Sequence, residues 1–253
     1  MNSSWRTSRQ IVIFIVYFLV ISLPFVVFAY FMLQKSETCF DGIQNQDEQG
    51  VDCSGVCSLQ CKGSYRDLKV SFARGMVSDV DMYNLFALLE NSNTSVYFPK
   101  VPYTIKAYNK SGDLLVSASG TTSVLSANRS AIYIPKLQMK QPPSIVDVDI
   151  DPAHIALRQT DFALQQSVKT AAWTAQRGAN NTLQVVVKVD NASVNEFADI
   201  DVYAMLYDDT RTVYAVGKTT LANIKGREST AAVFTWGNLP SPANADFIVT
   251  RHE

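Results

Sequence analysis

Histidine is nearly absent from this chain of 253 residues: only His154 and His252 occur. Two imidazoles exclude histidine-rich metal sites and leave most nucleophile–histidine arrangements without a base. His154 follows Asp151-Pro152-Ala153 and reads as part of an inter-domain linker rather than as half of a dyad with Asp151. An excess of charge of one sign is missing too. Lys and Arg total 22 against 23 Asp and Glu, a net charge of −1, which provides neither a basic field for nucleic acid nor an acidic tail. The sequence contains no glycine-rich phosphate loop, no G-x-S-x-G turn and no H-E-x-x-H helix. The expectation is a chain with no catalytic site and no bound organic cofactor.

What is plentiful is aliphatic, aromatic, Thr and Ser side chains, a composition that favours sheet. The one long apolar run, Ile11 to Leu33, carries no charge, and only Ser22 and Pro24 interrupt it. About 20 apolar residues span the hydrocarbon core as a helix, and Pro is tolerated there. A cleaved signal peptide is the competing reading. Its apolar stretch is about 7–15 residues with small residues at the cleavage site, whereas this run is longer and Ala29-Tyr30-Phe31 is a poor site. The run therefore reads as an uncleaved signal-anchor, a single span. Arg6 and Arg9 precede it without an acid, and Glu37, Asp41, Asp47 and Glu48 follow it. The positive-inside rule then places residues 1–10 in the cytoplasm and residues from 34 onward outside the cell membrane.

All four cysteines, Cys39, Cys53, Cys57 and Cys61, lie just beyond the span. An even number in an extracytoplasmic stretch reads as two disulfides, with three pairings open. Zinc sites favour two C-x2-4-C knuckles with a longer spacer between them; the spacings of thirteen, three and three residues do not follow that pattern. Residues 34–63 are too few to bury a core, so covalent staples must hold them. Asp41, Asn45, Asp47, Glu48 and Asp52 place five oxygen-bearing side chains in this stretch. Calcium takes six to eight oxygens and is a candidate ligand for the set; the plainer reading is solvated turn residues. The segment Cys39, Asp41-Gly42, Asn45, Glu48, Gly50, Asp52-Cys53, Gly55 and Cys57 resembles a short cysteine motif of many secreted and surface proteins, which implies an extracytoplasmic module and names no activity.

From about residue 64 the chain repeats itself. Ala107-Tyr108-Asn109 to Val116 aligns with Leu206-Tyr207-Asp208 to Ala215 without gaps at an offset of 99 residues, and Leu88 to Asn91 matches Lys188 to Asn191 after a one-residue shift. Each copy reads as short strands between turn signals: Leu85–Leu89, Tyr103–Tyr108, Leu114–Ser119, Ala131–Ile134 and Ile145–Ile150 in the first, with Leu183–Val189, Val202–Tyr207, Ala231–Phe234 and Phe247–Thr250 in the second. About seven strands per copy predict two tandem immunoglobulin-like β-sandwiches, residues 64–151 and 152–253, in an all-β protein. The Asn that ends one strand and the Tyr-Asn or Tyr-Asp that ends the next resemble the FxLYD domain and its relative, the type 2 late-embryogenesis-abundant domain. The first copy departs from that pattern with Ala107-Tyr108-Asn109. The resemblance implies extracytoplasmic sandwiches, often in bacterial envelope proteins, with no common catalytic site.

Trp173 and Trp236 read as core or rim residues, with carbohydrate stacking the rival use. Asp147, Asp149 and Asp151 alternate along a strand and read as a solvated outer face rather than a cation site. Asn93, Asn109, Asn128, Asn180 and Asn191 head Asn-x-Ser/Thr triplets that a eukaryotic secretory pathway could glycosylate. The expected function is a non-enzymatic envelope protein that contacts other envelope proteins, with glycan or cell-wall binding as the alternative.

Overall fold

A computed structural model of the chain describes residues 3–33, 38–151, 155–158 and 167–251. His154 and His252 lie outside them. Two compact units form, Met1–Cys57 and Ser58–Glu253.

The first unit opens with helix α1, Ser3–Leu33. Within it Arg9–Tyr30 is long and apolar enough to cross a membrane, with a mean hydropathy of 3.0 and no part buried in protein. The helix runs through Pro24, whose missing N–H leaves the Val20 carbonyl without its usual donor. Ser22 donates its hydroxyl to Leu19 O at 3.4 Å. The two disulfides lie within residues 39–61, as the cysteine count predicts: Cys39 bonds Cys57, and Cys53 and Cys61 are disulfide-bonded as well.

The second unit consists of two sandwiches of identical topology. In the first, β1 (Lys69–Asp79), β2 (Met82–Glu90) and β5 (Arg129–Gln138) form one sheet in the order β1-β2-β5; β3 (Val96–Tyr108), β4 (Leu114–Val124) and β6 (Ile145–Ile150) form the other in the order β4-β3-β6. In the second, β8 (Val168–Arg177), β9 (Leu183–Asn191) and β12 (Ser229–Trp236) pair as β8-β9-β12, and β10 (Phe197–Tyr207), β11 (Val213–Ile224) and β13 (Asn244–Arg251) as β11-β10-β13. Among the described residues each copy thus uses six main strands where about seven are expected. Pairing also carries the first sandwich past residue 151. Strand β7, Leu157–Arg158, pairs with Val96 and Tyr97 of β3, and Gln60 N donates to Ala156 O at 2.8 Å on its other side.

The repeat holds at the level of register. Lys106 faces Ser117 and Asp147; Met205, at the same offset, faces Val216 and Asp246. Both hairpin turns use one device. The Asn109 side-chain oxygen accepts from Ser111 N and Asp113 N, each at 2.9 Å, and the Asp208 carboxylate accepts from Thr210 N and Thr212 N, each at 2.9 Å. Asn91 and Asn191 are buried alike. Asn91 donates to Val96 O and Leu125 O, and Asn191 to Asn195 O, Ile224 O and Lys225 O, so each ties the loop after its strand to the turn ahead of the next sheet.

Alternate residues fill each sandwich's interior. Leu85, Ala87 and Leu89 of β2 meet Ile105 and Ala107 of β3 in the first core; Val187, Val189, Val202 and Ala204 do so in the second. The intervening residues are buried too. Phe86, Leu88 and Ala131 on the outer face of β1-β2-β5 join Tyr203, Met205, Val213, Val216 and Ile248 on the outer face of β11-β10-β13 in a third apolar cluster. The two sandwiches are therefore docked sheet on sheet and form one body.

Candidate functional site

Two places have built geometry: the cysteine module of the first unit and the junction of the second. In the module the acids serve the backbone. Asp52 accepts from Asp41 N and Gly42 N at 3.0 Å. Glu48, 7% exposed, accepts from Asn45 N at 3.3 Å and Asp52 N at 3.1 Å, while its other oxygen lies 3.1 Å from Cys57 Sγ. Asp41 accepts from Thr38 N, Ile43 N and the Asn45 amide. A carboxylate that accepts several N–H groups replaces the ladder a 20-residue loop lacks. Hydrogen bonds thus link four of the five candidate calcium ligands, Asp41, Asn45, Glu48 and Asp52, through backbone amides and the Asn45 side chain. Asp47 is exposed, and its carbonyl faces Gly55 so closely that a Cβ there would lie 1.8 Å away. Cys39, Glu48 and Cys57 also bring ligand-type atoms within 4.8 Å of one another. Both sulfurs are committed to the disulfide, which leaves no thiolate for a metal.

At the junction, polar groups rim the apolar contact. Arg129 bonds Asp246 across it at 2.8 Å, and Arg74 donates to Val213 O at 3.1 Å. Asp201, 2% exposed, pairs with Lys218 at 2.7 Å and accepts from Thr220 at 2.6 Å. The Lys218 ammonium also sits 5.5 Å from the Tyr203 ring centre, a cation–π contact. Burial raises the Tyr133 phenol above its ordinary value. Beside the junction runs a groove of about 460 Å³ lined by Asn84, Tyr133 and Lys136 from the first sandwich and Lys218 and Trp236 from the second. A smaller hollow of about 180 Å³ includes Tyr103, Asp201 and Tyr203.

Trp173 and Trp236 are engaged in packing. Trp236 donates to Val216 O at 3.0 Å, stacks on Phe234 at 5.8 Å and covers Gly217; Trp173 packs against Phe247 at 6.4 Å. Asp149 pairs with Lys106 on the outer face of β4-β3-β6, where Asp147 is exposed. Of the Asn-x-Ser/Thr positions, Asn191 is 2% exposed with its amide bonded to three carbonyls, which closes it to glycosylation. The Asn93 amide bonds Arg66 O and Asn91, and the Asn109 amide bonds Asp113. Asn128 is half-buried and Asn180 exposed.

Sequence alternation alone missed the junction. The signal for it is present: Leu85 to Leu89 and Val202 to Leu206 are apolar at every position, the mark of strands covered on both faces.

No family model matches the chain, and no curated protein does. Among solved structures it is similar to a GH2 beta-galacturonidase from Eisenbergiella tayi at 13% identity, covering 71% of this chain and 34% of that one with a TM-score of 0.22. It is similar to a beta-glucuronidase from glycoside hydrolase family 2 at 9% identity, covering 82% and 26% with a TM-score of 0.21. It is also similar to the CBM22-1-CBM22-2 tandem domain of Paenibacillus barcinonensis Xyn10C at 11% identity, covering 78% and 87% with a TM-score of 0.17. The chain spans about a third of the length of the first of these, and at such TM-scores the likeness carries no activity over.

Proposed function

We propose that the chain is a non-catalytic, membrane-anchored module of the cell envelope whose paired sandwiches present one rigid head to other envelope proteins. The buried junction carries this reading. Phe86, Leu88, Met205 and Ile248 pack the two sandwiches against each other, and a surface fixed in this way loses little entropy on binding. The anchor half rests on the apolar helix with arginines ahead of it and acids behind. Disulfides belong to an oxidising compartment and agree with an outward head. Protein contact is preferred to glycan binding because Trp173 and Trp236, the stacking candidates, pack against their own core. Protease added outside intact cells or spheroplasts should remove the chain beyond residue 38 and leave the helix; full protection of the sandwiches would overturn the proposal. Proximity labelling from the head in native membranes would identify the partners.

A further inference from the structure

Among its described residues the cysteine module has no apolar core and exposes four large apolar side chains. Its buried residues are Glu48, Ser54 and Cys57, whereas Phe40 is 86% exposed, Ile43 48%, Val51 55% and Val56 52%. The staples bring the backbone positions that carry these four near one another. The Cys39–Cys57 disulfide, with a Cα separation of 5.6 Å, adjoins Phe40 at one end and Val56 at the other. The Asp52 carboxylate, which holds Asp41 N and Gly42 N, ties Val51 to the turn that carries Phe40 and Ile43. A module this small cannot conceal such groups within itself, and an aromatic side chain nearly fully in water gains by leaving it.

The chain's own length says what lies within reach. The 23 residues Ile11 to Leu33 rise about 34 Å as a helix, against a hydrocarbon core of about 30 Å, so Leu33 ends near the interface. Four residues separate Leu33 from Thr38. At about 3.6 Å per residue they tether the module within about 18 Å of that point. We propose that Phe40, with Ile43, Val51 and Val56, seats the cysteine module on the outer lipid surface. The module then works as a foot that rests on the bilayer rather than as a free spacer. This inference rests on the anchor reading of α1.

The test uses the full chain in its native membrane with the photo-crosslinker benzoyl-phenylalanine in place of Phe40 or, separately, of Phe18 inside α1. Intact mass under non-reducing conditions first shows that both disulfides have formed. After irradiation, mass spectrometry should find lipid adducts at position 40 in a yield comparable with position 18. Lipid adducts at 18 and none at 40 would overturn the seating while leaving the anchor in place. Adducts at 40 exclusively with another protein would also overturn it, by showing that a protein covers the patch. No lipid adduct at either position, with the chain in the soluble fraction, would overturn the anchor reading and the seating with it.

Discussion

Lys106 and Met205 hold the same register position in the two copies of the repeat, yet Lys106 lies on an open face beside Asp149 and Met205 is 2% exposed in the junction. Their neighbours diverge in the same way: Thr104 matches Tyr203, and Asp149 matches Ile248. On the other sheet the polarity reverses, with Leu88 buried in the first copy and Lys188 exposed in the second. The junction joins unlike faces, β1-β2-β5 to β11-β10-β13, and head-to-tail contacts of that kind extend indefinitely when both faces remain free and apolar. Thr104, Lys106 and Asp149 on one free face and Lys188 on the other keep those faces polar.

Met205→Lys should therefore give the second copy the character of the first and open the junction. The change pushes an ammonium into the apolar cluster, where its cross-strand neighbour Asp246 is already held by Arg129; this costs about 3–5 kcal/mol or undocks the sheets, and Met205→Ala should cost about 2–5 kcal/mol. For residues 58–253 of the lysine variant, denaturant unfolding followed by Trp fluorescence, which reports Trp173 and Trp236, should separate from unfolding followed by far-ultraviolet dichroism. Superimposable curves would contradict this.

Asn91 and Asn191 should behave as a pair. Each donates its amide to buried carbonyls, and an unpaired buried carbonyl costs about 1–3 kcal/mol. Asn→Ala at either position should lower stability by about 2–3 kcal/mol, and Asn→Asp by more, because a carboxylate would then face carbonyl oxygens. Equal stability of the Ala and Asp variants in urea titrations would count against this account of the motif.

Strand content was legible where alternation is unbroken, as in Tyr103–Tyr108, and where a short apolar run ends at a turn signal, as in Val202–Tyr207, and the Asn109 and Asp208 turns show in their residue types. β1 and β8 escaped because bulges shift their period, between Val70 and Phe72 and between Val77 and Asp79 in β1 and between Thr170 and Trp173 in β8. The first half of β3 lies ahead of the expected strand Tyr103–Tyr108 and carries two prolines, which interrupt a ladder; Pro99 lies within the register shift between Phe98 and Val101 and Pro102 just past it. The acids of the cysteine module were legible as a cluster, but their partners are backbone amides, which no side-chain spacing encodes.

Alkaline pH should loosen the junction. Burial holds the Tyr133 phenol above its ordinary value of 10.0, and burial, then Asp246, does the same for Tyr207. The unfolded chain loses these protons first, so the stability they contribute is complete below pH 10 and falls as pH rises through the folded values. The melting midpoint should hold level from about pH 7 to 9 and then decline. Tyr133→Phe should decline less steeply; identical slopes would exclude a share for Tyr133.

The cysteine module should unfold alone. The Cys39–Cys57 loop closes 18 residues, a constraint of about 3 kcal/mol. Reduction should abolish hydrogen-exchange protection at Gly42 N and Asp52 N while the sandwiches keep their melting midpoint. Gly55→Ala should do the same without reductant, since Gly55 has φ +60° and no room beside Asp47 O. A fall in the sandwich midpoint on reduction would show that the staples serve the second unit as well.

Calorimetry of residues 58–253 tests most directly whether the two sandwiches are one body. A head docked through Phe86, Leu88, Met205 and Ile248 should melt in a single transition, with calorimetric and van't Hoff enthalpies in agreement. Two resolved transitions, or a van't Hoff enthalpy near half the calorimetric one, would mean that the sandwiches unfold independently and that no rigid head exists.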